Sequence, residues 1–412
     1  LGRLNRASVR SLKGTQMSIL SSLPLAPRDP ILGLTEAFVA DTRADKVNLG
    51  VGVYLGEDGK IPLLDCVREA EARLAAAPAP RGYLPIDGLP AYTKGVRELV
   101  FGAESDAVTS GRVVTVQGLG GTGALKIGAE FLKLTDAGRT LLISDPSWEN
   151  HQALFSRAGY DVRTYRYYAP ALGGIDFQGM LADLRAAEPG TVVVLHACCH
   201  NPTGYDLDDA QWAQVADVVV ERGLVPFLDM AYQGFADGIE PDGAVVARFA
   251  GLGVPLLVAS SFSKSFSLYG ERVGGLSVLA ADAEEAARVL SQLKVTIRTT
   301  YSNPPTHGAA VVASVLGDPE LRARWEAELE SMRLRIKAMR SALVSELAGA
   351  PRDFGFIADQ VGMFSYCGLS AEQMRELREV HGVYGTDAGR ICVAALNPSN
   401  VGTVAKAIAA VL

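Results

Sequence analysis

A chain of 412 residues, nearly half of them apolar and with mixed charges, exceeds what one hydrophobic core usually supports, and two unequal domains are expected. Its apolar stretches are interrupted well before the ~20 residues that span a bilayer, and a formal charge of −7 offers no basic patch for nucleic acid, so membrane and nucleic-acid partners are not expected. The five cysteines (Cys66, Cys198, Cys199, Cys367 and Cys392) contain no CxxC spacing, which speaks against a disulfide framework or a zinc site and for a reducing, cytoplasmic compartment.

Residues 1–16 carry Arg3, Arg6, Arg10 and Lys13 with no acidic residue, and the chain reads naturally as starting at Met17. The expectation is a cloning remnant or upstream read-through. An arginine-rich organellar presequence fits less well, because Leu1 is not an initiator.

From Ala91 to Ala280, short apolar runs alternate with helix-length amphipathic segments. The runs Val113–Val116, Thr140–Ser144, Thr191–Leu195, Val225–Asp229 and Leu256–Ser260 lack polar alternation, as buried parallel strands do. Ala124–Leu134 and Ala210–Arg222 have helical spacing, so the expected fold is α/β, a mostly parallel central sheet flanked by helices. Polar clusters follow the strands at Gly120–Thr122, Ser147–Trp148, His200–Asn201, Asp229–Tyr232 and Ser261–Lys264. Ligands of open α/β sheets sit at the carboxyl ends of strands, so these five segments should meet in one crevice.

After Asp318 a charged segment without Gly or Pro beyond its first residues runs to Leu347 and predicts one long helix bridging two domains. The expected division is a large domain over 62–331 and a smaller α/β domain built from both chain ends, 17–61 and 332–412.

Two segments compete to define the chemistry. The loop QGLGGTG from Gln117 to Gly123 satisfies GxGxxG after a strand, with Asp145 about twenty residues later, as a dinucleotide site requires, so an NAD-dependent oxidoreductase is one reading. The segment SSFSKSFSLYGERVGG from Ser260 to Gly275 crowds hydroxyls around one lysine and one arginine. A phosphate ester needs hydroxyl donors and a bidentate arginine, and a neighbouring aldehyde needs an amine; Ser261, Arg272 and Lys264 supply them. The glycine loop serves phosphate in either reading, and the dehydrogenase reading leaves the Lys264 cluster without a use. His196 and His200 flank Cys198 and Cys199 without the spacing of a tetrahedral zinc set, and packing is expected rather than a metal.

The lysine segment resembles the signature of class I aminotransferases, the aspartate and aromatic amino acid group, which are fold type I pyridoxal-phosphate enzymes. The resemblance continues through NLGVGVY (Asn48–Tyr54), GYLPIDG (Gly82–Gly88), GGTGAL (Gly120–Leu125), PSWENH (Pro146–His151), CHNPTG (Cys199–Gly204), DMAYQGF (Asp229–Phe235), YSNPP (Tyr301–Pro305) and Gly389–Arg390. It implies pyridoxal 5'-phosphate carried by Lys264, with Lys264 also the proton-moving base. It implies Asp229 at the ring nitrogen, Tyr232 and Asn201 at the phenolic oxygen, Trp148 on the ring face and His151 beside Asp229. Gly121, Thr122, Ser261 and Arg272 would hold the phosphate, joined by Tyr83 from a second subunit. Arg390, with Gly52, Trp148 and Asn201, would bind the substrate α-carboxylate. Arg298 would reach a distal carboxylate across a homodimer interface, making each site composite. Taken singly, most of these residues would be packing aromatics, turn residues or surface charges; their ordered co-occurrence carries the reading.

Specificity is read from apolar Leu55 and Ile61, where aspartate-selective relatives tend to carry lysine and threonine. An apolar wall favours aromatic side chains. Val53, Thr122 and Asn303 keep the aspartate-type choices. The expected activity is ping-pong transamination of tyrosine, phenylalanine and aspartate with 2-oxoglutarate. An aspartate-selective enzyme is the alternative, and a pyridoxal-phosphate lyase or decarboxylase is a more remote one.

Overall fold

The computed structural model describes residues 18–26, 30–135 and 137–412. The expected leader over 1–16 and the start at Met17 lie outside them.

The apolar runs assemble into one seven-stranded sheet. In chain order its strands are β1 (Val113–Leu119), β2 (Thr140–Asp145), β3 (Asp161–Arg166), β4 (Val192–His196), β5 (Val225–Met230), β6 (Leu256–Ser261) and β7 (Val273–Leu279). Their spatial order is β1-β7-β6-β5-β4-β2-β3, with β7 antiparallel to both its neighbours and the remaining pairs parallel. Residues along β4 alternate between two cores: Val192 and Val194 pack into one, Val193 and Leu195 into the other. A sheet covered on both faces needs apolar residues at every position, which is why these strands read as unbroken runs.

Five strands match the expected runs within one to three residues. Two were not anticipated. β3 is one of the two edge strands, and its sequence DVRTYR is largely exposed and charged, as edges that must resist further pairing tend to be. β7 begins inside the lysine segment, where Gly274 and Gly275 hide a strand that is buried throughout.

Helix α1 (Gly120–Leu132) follows β1 without a gap and starts four residues before the apolar periodicity does, because its first turn is mostly glycine. Helix α2 (Glu149–Arg157) follows β2. Helix α3 (Asp209–Arg222) opens with a capping box between Asp208 and Gln211 and ends at Gly223, whose φ of 60° suits glycine. The long helix α4 (Pro319–Glu346) has 28 residues, about 42 Å of helix at 1.5 Å per residue. Asp318 caps it, accepting from the N–H groups of Glu320 and Leu321, and Pro319 occupies the first helical position.

The chain ends meet. Val47–Asn48 pairs parallel with Val383–Tyr384, and β8 (Phe364–Tyr366) pairs antiparallel with β9 (Arg390–Cys392). No described helix is long and apolar enough to cross a membrane.

Candidate active site

At the carboxyl ends of β1, β2, β4, β5 and β6 the sheet opens into a cavity of about 190 Å³. The antiparallel strand β7 enters the same place by its amino end, which brings Arg272 there. Ten expected residues line the cavity: Gly52, Gly121, Thr122, Trp148, Asn201, Asp229, Tyr232, Ser261, Lys264 and Arg272, and Arg390 makes an eleventh.

One pole of the cavity is built for an anion. Among the described residues no side chain caps the amino end of α1; the Gly120 N–H is taken by the Arg272 carbonyl at 2.9 Å, and Gly121 and Thr122 of the same turn line the cavity at the positive end of the helix dipole. Arg272 takes a left-handed backbone conformation, φ 55°, and its guanidinium donates to the Tyr269 carbonyl at 2.9 Å. A Cβ on Gly120 would lie 2.5 Å from that guanidinium, and one on Gly274 would lie 2.4 Å from the carbonyl carbon of Gly120. Glycine is required at both positions so that arginine, turn and strand can pack backbone to backbone. Ser261 and Ser263 add hydroxyls.

The opposite pole carries a buried carboxylate. Asp229 Oδ2 lies 2.9 Å from His151 Nε2, and His151 Nδ1 lies 2.9 Å from Ser147 Oγ. Burial works to raise the Asp229 pKa, but its hydrogen bond and charge interaction with His151, helped by His196 and Lys264, outweigh that and hold the carboxyl below its ordinary value. His196 stacks obliquely against His151 at 5.1 Å, and neither of its ring nitrogens has a hydrogen-bond partner among the described residues; burial pushes its pKa down to about 3.

Between the poles stands Lys264, its Nζ 5.0 Å from the centre of the Tyr232 ring. Burial depresses its pKa to about 8, Asp229 works the other way, and Arg272 and Arg390 add to the depression. Burial also pushes the Tyr232 phenol up, so it remains a proton donor.

Arg390, on β9, forms a third corner. It is 2% exposed; one terminal nitrogen meets Asn201 Oδ1 at 2.9 Å and Glu149 at 3.2 Å, the other the Gly50 carbonyl at 3.0 Å. Its Nε has no hydrogen-bond partner among the described residues, and its guanidinium lies 4.5 Å from the centre of the Phe364 ring. A Cβ on Gly52 would stand 2.7 Å from that ring, so only glycine admits it.

These residues fit a pyridoxal phosphate group by the chemistry of their donors: an anion pole for a phosphate ester, an ionised carboxylate for a protonated ring nitrogen, and an amine between them for an aldehyde. A nicotinamide dinucleotide fits less well, since β1, which bears the glycine loop, lies at the sheet edge beside an antiparallel strand.

His151 stands directly behind Asp229 and does not line the cavity. Tyr83 is 95% exposed, and Arg298 lies on the surface and donates to Ser302 Oγ. Leu55 and Ile61, expected to form an apolar wall, do not line this cavity: Leu55 borders a second one with Val53 and Asn397, and Ile61 is exposed. His200 has both ring nitrogens hydrogen-bonded, to Ser144 and Thr203, and stacks on Tyr167. Sequence reasoning missed Tyr269, Phe364, Ser263 and Glu149. Tyr269 lies within the lysine segment and was within reach; a lone phenylalanine at 364 carries no sequence signal.

A family model described as aminotransferase class I and II matches residues 44–408. The chain is 60% identical to a protein named aspartate aminotransferase from Pseudomonas aeruginosa, covering 96% of this chain and 100% of that one. It is 53% identical to a protein named aromatic-amino-acid aminotransferase from Escherichia coli, covering 93% and 98%. Among solved structures, an aromatic-amino-acid aminotransferase from Burkholderia pseudomallei covalently bound to pyridoxal phosphate superposes with a TM-score of 0.94 at 62% identity, covering 96% of this chain and 100% of that one.

Proposed function

Because this chain belongs to the class I and II aminotransferases, we propose that it moves amino groups between aromatic L-amino acids or aspartate and 2-oxoglutarate in two successive half-reactions. It is a pyridoxal-phosphate-dependent enzyme. The carrying observation is a lysine of depressed pKa set between an ionised carboxylate and an anion pole, with a buried arginine in the same cavity.

Pyridoxal phosphate, when bound, supplies an electron-poor ring that accepts the electron pair released at the substrate Cα. Lys264 would hold the group through its amine. Gly121, Thr122, Ser261 and Arg272 would bind its phosphate, Asp229 would keep its ring nitrogen protonated, and Tyr232 and Asn201 would donate to its phenolic oxygen. His151 fixes Asp229, and Trp148 would cover the ring face. Arg390 binds the substrate α-carboxylate with Asn201, while Gly52 leaves room for it. Once free, the neutral Lys264 amine would take the Cα proton and deliver it to the cofactor carbon it had occupied, with the reverse transfer serving the second half-reaction, as a base with a pKa near the working pH does best. The segments 17–61 and 332–412 form a smaller domain that closes over the larger one, 62–331, and excludes water from this transfer. Two copies associate so that Tyr83 and Arg298 of each complete the other's site; their exposure here suits that role. The buried, unpaired cysteines suit a cytoplasmic setting.

An aspartate-selective enzyme is the second reading, favoured by Leu55 and Ile61 standing away from the cavity. Glutamate formation from 2-oxoglutarate, measured with phenylalanine, tyrosine and aspartate as donors, separates the two: activity with all three is expected, and activity with aspartate alone supports the second. Lys264→Ala should lower every rate by at least ~10²–10⁴-fold, the usual contribution of a positioned acid–base group. Retained transamination in that variant would remove the assignment of Lys264.

A further inference from the structure

The buried face of α4 is Leu321, Trp325, Leu329, Met332, Ile336, Arg340 and Leu343, spaced by three and four residues. Arg340 thus occupies a core position in an apolar stripe. It is 3% exposed, and no carboxylate forms an ion pair with it among the described residues. A buried cation without a counter-ion is costly unless neutral acceptors surround it. Arg340 has four. One terminal nitrogen donates to the Gly362 carbonyl at 2.7 Å and the Phe364 carbonyl at 3.0 Å; the other donates to Ser365 Oγ and, at 3.4 Å, to the Ile357 carbonyl. Every acceptor belongs to the segment 357–365.

That segment leads into β8, whose partner strand β9 carries Arg390. Phe364 stacks on the Arg390 guanidinium at 4.5 Å, packs edge-on to Tyr232 at 5.8 Å and fills the space left by Gly52. From behind, Arg340 therefore grips the strand that presents Phe364 and Arg390 to the cavity. Further along the same helix, Trp325 donates to the Ser265 carbonyl at 2.7 Å and stacks on Phe266 at 4.7 Å, directly after Lys264.

We propose that Arg340 is a positioning residue for the substrate-carboxylate pocket: it fixes the 357–365 segment so that Phe364 holds the Arg390 guanidinium in place. Through α4 this clamp shares a rigid helix with the Lys264 segment, and all four of its acceptors lie in the 357–365 segment. The inference rests on Arg390 being the carboxylate-binding residue.

The test compares wild type, Arg340→Gln, Arg340→Lys and Arg390→Lys as cofactor-loaded enzymes. KM and kcat are measured for aspartate and phenylalanine, together with the Kd of an unreactive dicarboxylate by calorimetry. Loss of the clamp should raise KM and the inhibitor Kd by about tenfold or more in Arg340→Gln, within the range by which small misplacements remote from the chemistry act. kcat should change much less than KM, because Lys264, Asp229 and the phosphate cradle lie outside the clamped segment. Arg340→Lys, which keeps the charge but has three donors for four acceptors, should fall between wild type and Arg340→Gln, and if Arg340→Gln does not fold it decides alone by the same KM and Kd rise. Unchanged KM and Kd in the folded variants would overturn the proposal. So would a fall in kcat as large as the rise in KM, since that is what general loosening of the core produces. Arg390→Lys checks the underlying reading separately: normal carboxylate affinity in that variant would show that Arg390 was misassigned, whatever Arg340 does.

Discussion

Lys264 is the residue on which burial and charge compete most directly. Desolvation lowers its pKa, the Asp229 carboxylate resists, and Arg272 and Arg390 push it further down, leaving it at about 8. In cofactor-free protein, labelling of this amine by an acylating reagent should therefore rise with pH through about 8. Asp229→Asn removes the opposing charge and should move that midpoint lower. A rise only near the 10.5 of an ordinary lysine would mean that the site does not exclude water as described. Lys264, Asp229, Arg272 and Arg390 were legible in the sequence because the chemistry admits few other residue types and each sits in a recognisable segment. Phe364 and Arg340 were not, since an apolar ring or a lone arginine acquires a role only from what the fold sets beside it. Leu55 and Ile61 were misread as pocket wall for a related reason: closeness in sequence to Gly52 does not say which way a side chain faces.

At the scale of elements, periodicity located β1, β2, β4, β5, β6 and the full length of α4 but passed over β3 and β7. An edge strand exposes polar residues, and a glycine-rich strand hides its register, so neither produces an apolar run. Yet β7 organises the anion pole, because its antiparallel entry sets Gly274 against Gly120 and delivers Arg272 beside the start of α1. Gly274→Ala would place a methyl 2.4 Å from the Gly120 carbonyl carbon. Overpacking of this kind costs about 1–3 kcal/mol, and here it should also weaken cofactor binding, because the loop it displaces forms the phosphate cradle. Chemical denaturation and cofactor titration of the variant measure both effects. Wild-type cofactor affinity in a destabilised variant would mean that the cradle does not depend on the β7 contact.

For the molecule as a whole, the sequence indicated an α/β sheet with its functional segments at one edge, and the seven-stranded sheet has them there. What one chain leaves open is Tyr83, 95% exposed, and Arg298, on the surface. If each site borrows these residues from a second copy, two inactive variants should rescue each other. Random pairing of Lys264→Ala with Arg298→Ala makes half the dimers mixed, each with one intact site of two, so about a quarter of the wild-type activity towards aspartate should return. No recovery after subunit exchange would confine the site to one chain. The central claim is that the Lys264-bound cofactor takes amino groups from both aromatic and acidic amino acids. Its most direct test is a single half-reaction, following loss of the visible absorbance of the lysine-bound cofactor on adding phenylalanine, tyrosine or aspartate separately, with no oxo acid present. Full conversion by all three is expected. Conversion by aspartate alone would contradict the broad specificity, and no conversion by any of them would contradict the transamination itself.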